Sequence, residues 1–124
     1  METKKYPGLG DIDVNDFRKI WNKYIKPLDS SKKILHNTQG GIYIIREVND
    51  NSITFSPASD KSITVDFGKC QEAYHALLKS DDSSISRKDI LSIIGVWRSS
   101  FIVSLLATLP HVKETSKPRG LELK

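Results

Sequence analysis

The apolar residues of this chain change period twice, and that change limits the folds open to it. Between residues 14 and 25 they fall at Val14, Phe17, Ile20, Trp21, Tyr24 and Ile25, the three-and-four spacing of one helical face. Between residues 52 and 67 they alternate. Ile53 and Phe55 stand among Ser52, Thr54 and Ser56, and Ile63, Val65 and Phe67 among Thr64 and Asp66, as in a half-buried strand. From Cys70 the helical spacing returns through Ala73, Tyr74, Leu77 and Leu78. Strands with one apolar face need a cover, and the flanking helices supply it. The expected class is α+β.

Local signals fill in the order of elements. Asp13 sits where an N-cap belongs, with Asp16 three residues later at the positive end of the helix dipole, and Pro27 ends the helix. Ile42, Tyr43, Ile44, Ile45 and Val48 make a β-branched and aromatic run after Gly40-Gly41. Asn49-Asp50-Asn51 and Pro57-Ala58-Ser59-Asp60 are turn compositions between runs. They predict an antiparallel three-stranded meander, which Ile34-Leu35 can join. Ser86 with Asp89 starts a short helix, Ile94-Gly95-Val96 interrupts it, and a longer helix over residues 97–109 stops at Pro110. The expected architecture is an N-terminal helix, the small meander, then a helix and a C-terminal helix-turn-helix-like hairpin. Residues 1–12 read as an extended lead-in, 13–112 as a single α+β domain and 113–124 as a flexible basic tail.

Composition narrows the function classes. A chain of 124 residues holds one hydrophobic core, and 38% hydrophobic with 27% charged residues is the profile of a folded chain. No apolar run approaches the roughly 18 residues of a membrane span. The charged start, Met1-Glu2-Thr3-Lys4-Lys5, is not that of a secretory leader. Cys70 is the single cysteine, so no internal disulfide forms and a cytoplasmic location is expected. The net charge of +4 leans toward a polyanionic partner.

Two groups of residues carry that lean. Lys19, Asn22, Lys23 and Lys26 lie opposite the apolar face of the first helix, with Arg18 at the border of that side, where they can track a phosphate backbone or simply be solvated. Residues 86–108 have the layout of a helix-turn-helix, with Gly95 free to take the tight turn and Ile90, Leu91, Phe101 and Leu105 forming a shared core. In that reading Arg87, Lys88 and Arg98 position the unit on duplex DNA. Ser99, Ser100 and Ser104 make close contacts from the second helix. The other side of that helix (Ser100, Val103, Ser104, Ala107, Thr108) is small and uncharged, which suits a DNA contact, a helix packed on its own domain, or a protein interface.

The wider sequence carries a resemblance. Gly40-Gly41-Ile42-Tyr43-Ile44-Ile45, Asn51-Ser52-Ile53-Thr54-Phe55, Ile85-Ser86-Arg87-Lys88-Asp89-Ile90 and the stretch 98–110 resemble small modules found alone or attached to prokaryotic restriction endonucleases. The resemblance spans roughly residues 14–112. It implies a DNA-associated function and supplies no catalytic residue.

Catalytic readings fare less well. A metal-dependent nuclease would draw on Asp60, Asp66 and Lys69, but two residues separate Asp66 from Lys69 and Gly68 ends the strand, so one strand does not aim both into a site. Cys70 and His75 are turned about 140° apart on their helix. His36 and His111 have no partner at metal-ligand spacing, and Gly40-Gly41 lacks the lysine of a phosphate loop. Trp21 reads as core, and Trp97, beside Arg98, as core or as a base-stacking residue. The expectation is a non-catalytic DNA-binding module without a cofactor. The alternative is a protein-interaction module such as an accessory subunit or inhibitor of a nucleic-acid enzyme.

Overall fold

A computed structural model describes residues 8–31, 34–36, 42–57, 61–94, 99–116 and 119–124. Helix α1 (Phe17–Ile20) runs directly into a π turn (Trp21–Ile25), and α2 is the single turn Leu28–Ser31. Strands β1 (Ile34–His36), β2 (Ile42–Val48), β3 (Ser52–Pro57) and β4 (Ile63–Asp66) precede helix α3 (Phe67–Lys79). Then come β5 (Ser84–Ser86), α4 (Arg87–Ile94), α5 (Ser99–Leu106), β6 (Val112–Ser116) and β7 (Arg119–Leu123).

The class is α+β, but the expected order of elements is not what forms. Strands run through the whole chain instead of gathering in one N-terminal meander ahead of C-terminal helices. The meander is the middle of a four-stranded antiparallel sheet, β1-β2-β3-β4, and a second antiparallel sheet has the order β5-β7-β6. Within residues 113–124, expected as a flexible basic tail, 113–116 and 119–123 lie in two strands of that second sheet, β6 and β7. The reason is visible in their sides. Val112, Leu121 and Leu123 are buried, while Lys113 and Glu122 stand on the other face and pair at 3.2 Å. The inward positions between them hold Glu114 and Arg119, whose charges hide the alternation from a hydrophobicity reading. Gly120 lies so close to β5 that a Cβ there would run into Ile85 O, so the register admits glycine only.

Residues 8–12, within the expected extended lead-in, turn instead. Ile12 N donates to Leu9 O at 3.0 Å, and Leu9 is buried. The first helix begins three residues later than its sequence signal. Asp16 is the cap that accepts from Lys19 N, and Asp13 closes the preceding turn through Asn15 N.

Helix α5 lies between the two sheets. Phe101 stacks face to face on Phe55 of β3, with ring centroids 3.6 Å apart, and Tyr43 of β2 meets Phe101 edge-on. Every residue from Phe101 to Leu106 is buried. Its flank is closed by α3, whose stripe Cys70, Ala73, Tyr74 and Leu77 is buried as its spacing predicts. Phe17, Trp21, Phe67 and Tyr74 form one aromatic cluster that ties α1 to α3. No helix among the described residues is long and apolar enough to cross a membrane.

Candidate functional site

The polar side of α5 faces the interior. Arg119 of β7 reaches it with its guanidinium. NH1 donates to Ser100 Oγ at 2.6 Å, and NH2 donates to Ser100 O at 3.1 Å and to Ser104 Oγ at 3.4 Å. Its Nε donates to Glu114 Oε2 at 2.9 Å, and both charged side chains are nearly sealed from solvent, 6% and 11% exposed. Tyr43 Oη adds a 2.8 Å bond to Ser100 Oγ. An arginine in such a place needs its donors filled and its charge matched, and the two serines and the glutamate do both. Ser100 and Ser104, expected to make close contacts with DNA, therefore hold this chain's own arginine. Ser99 opens α5, Gly95, Trp97 and Arg98 lie outside the described residues, and α4 packs on α5. Arg87 is half-buried and Lys88 exposed at the start of α4.

The first helical segment keeps its basic residues at the surface. Phe17, Ile20, Trp21 and Ile25 are buried, while Lys19 and Lys23 are exposed and Arg18 and Lys26 half-exposed. In the π turn Lys26 N bonds back five residues to Trp21 O at 2.8 Å, a pattern that is rare in helices. Trp21, held in the core, donates its indole N–H to Asn49 O at 2.9 Å and so docks the segment on the β2–β3 turn.

That turn gathers two of the four cations. Arg18 lies over the Phe67 ring, 3.7 Å from its centroid, and NH1 donates to Asp50 O. Lys26 Nζ donates to the Asp50 carboxylate. The hydrogen bond and charge of Lys26, aided by the charge of Arg18, hold the Asp50 carboxyl below the ordinary carboxylate range. Asn49 Oδ1 shapes the turn by accepting from Asn51 N and Ser52 N. Lys19 Nζ stands 4.0 Å from Asp16, with its side chain 70% exposed, and Lys23 Nζ lies 5.4 Å from the Tyr24 ring. The outcome is a group of cations in which Asp50 holds Arg18 and Lys26 while Lys19 and Lys23 are exposed.

The groups weighed for catalysis have structural settings. Cys70 is buried, and burial pushes its thiol up to about 12. His111 is buried too. Tyr74 Oη donates to Val14 O at 2.6 Å and lies 2.8 Å from His111 Nε2, and burial with the nearby Lys124 charge brings the imidazole down to about 4. Asp66 and Lys69 are exposed where β4 passes into α3, and Asp60 lies outside the described residues. Among the described residues no cluster of three or more His, Cys, Asp or Glu is placed to hold a metal ion.

One feature escaped the sequence reading. A groove of about 420 Å³ is lined by Asp82, ahead of β5, and by Ile85, Asp89, Thr115, Leu121 and Glu122 of β5, α4, β6 and β7. Its position depends on β6 and β7 forming, which the charges at Glu114 and Arg119 concealed. Two of its carboxylates have partners already. Asp82 accepts from Ser80 Oγ at 2.7 Å and Glu122 pairs with Lys113.

Comparisons with protein-family models, with curated proteins and with solved structures find no match.

Proposed function

We propose that this chain is a non-catalytic module that binds nucleic acid, duplex DNA first, through the phosphate backbone. The observation that carries the reading is the row Arg18, Lys19, Lys23 and Lys26 on one solvent-facing side of a helical segment whose other side is locked into the core. Cations spaced along a rigid element meet successive phosphates at little cost in ordering, and excess positive charge steers a polyanion toward them. Base reading by α5 is not part of the proposal, because its polar side holds Arg119. Recognition by phosphate contacts alone tolerates any sequence.

The test is retention of a short labelled duplex at 50 mM salt by the native chain and by the double variant Lys19→Glu/Lys23→Glu. Retention should vanish in the variant. In the native chain affinity should fall about tenfold between 50 and 200 mM salt for every two phosphates contacted. Equal retention by both proteins removes the reading. A protein-interaction role draws instead on Ile42, 38% exposed on β2, and a complex made through an apolar contact would be nearly indifferent to salt.

A further inference from the structure

We infer that Asp50 is a built-in competitor for phosphate, occupying on Lys26 the place that a phosphate oxygen takes when nucleic acid binds. The inference rests on the reading above and names what sets its affinity. Three observations converge on this residue. The Asp50 carboxylate accepts from Lys26 Nζ, and its carbonyl accepts from the Arg18 guanidinium. Arg18 lies over the Phe67 ring, 3.7 Å from its centroid, so its position beside the turn is fixed before any ligand arrives. The turn itself does not depend on the carboxylate, because Asn49 Oδ1 and the Trp21 indole hold it through backbone groups.

The energetics favour exchange. The Asp50 side chain is 67% exposed and that of Lys26 43%, so their pair is solvated and weak. A carboxylate and a phosphate oxygen accept from an ammonium in the same way, but a duplex presents many phosphates and releases counterions on each contact. A polyanion therefore displaces Asp50 from Lys26, while a single phosphate ion gains little by doing so. Binding proceeds against one negative charge held on Lys26, which lowers affinity and keeps the cations from holding weaker anions.

The experiment compares the native chain, Asp50→Asn and Asp11→Asn, binding a 20-base-pair labelled duplex by fluorescence anisotropy from 50 to 200 mM salt. Asp11→Asn changes the net charge equally at an exposed site on the N-terminal turn. Asp50→Asn should bind about three- to tenfold more tightly at 50 mM, with a salt slope steeper by about one, and Asp11→Asn should bind like the native chain. Adding Lys26→Met to Asp50→Asn should erase the gain. A gain of equal size in Asp11→Asn, or one that survives Lys26→Met, overturns the inference by making it an effect of net charge. Native binding with no gain in Asp50→Asn overturns the inference and leaves the nucleic-acid reading standing. No binding by any of the proteins at 50 mM ends both.

Discussion

Replacing Arg119 by methionine should unfold much of what the second sheet holds together. The substitution keeps the length of the side chain and removes its charge and donors. It takes away a 2.9 Å bond to Glu114 and three bonds to Ser100 and Ser104, all in a place that is almost dry. Glu114, 11% exposed, then loses the guanidinium that pairs with it at 2.9 Å, and Ser100 O loses a donor. Removing one member of a buried pair costs about 3–5 kcal/mol, most of it the penalty on the charge left behind. Against a total stability of about 5–15 kcal/mol this is a large fraction. It corresponds to a fall in Tm of about 10–20 °C for a chain of this size. Urea unfolding followed by circular dichroism should show a lower midpoint with an unchanged slope, since the same surface is exposed. Adding Glu114→Gln should recover part of the loss, because the carboxylate that Arg119 matched goes with it. A loss below about 1 kcal/mol in Arg119→Met, or no recovery in the double variant, would refute the claim that β7 is pinned to α5 by a matched buried pair.

Two other predictions concern groups with displaced pKa values. His111 sits near 4 in the folded chain against an ordinary 6.5, so the folded state binds its proton less readily than the unfolded chain. Stability should therefore hold above pH 7 and fall by about 2–3 kcal/mol as pH drops from 6.5 to 4, with His111→Gln flattening that fall in urea midpoints measured at pH 7 and 4.5. An unchanged fall in the variant would assign it elsewhere. Cys70, buried and with its thiol pushed up to about 12, should resist thiol reagents at pH 8 in the native protein and react at once in denaturant. Rapid native labelling would show that α3 opens.

What was legible in the sequence follows from which forces leave a local trace. The stripe from Cys70 to Leu77 and the alternation at Ile53, Phe55, Ile63 and Val65 come from burial against a neighbour on one side, and each leaves a period in the chain. The basic row opposite Phe17 and Ile20 is visible for the same reason. Helix α5 misled because it is buried on all sides. Phe101, Ile102, Val103, Leu105 and Leu106 wrap round it, and reading Ser100 and Ser104 as a polar face supposed solvent where β7 lies. The near-continuous apolar character of that stretch was the available signal. Strands β6 and β7 were hidden because a charge pair occupies their inward positions, and Glu114 matches Arg119 only once the hairpin has formed. The role of Asp50 could not be read at all from local pattern, since it answers residues 24 and 32 positions away.

The place of β7 between β5 and β6 has a consequence for biosynthesis. During translation β5 emerges first, then α4, α5 and β6, and neither strand can find its neighbour in this sheet until β7 follows. Through that interval two unprotected strand edges and the flank of an apolar helix are open to other chains. A stalled or prematurely terminated product lacking β7 should be drawn to chaperones or lost to inclusion bodies, whereas a product carrying β7 closes its own sheet.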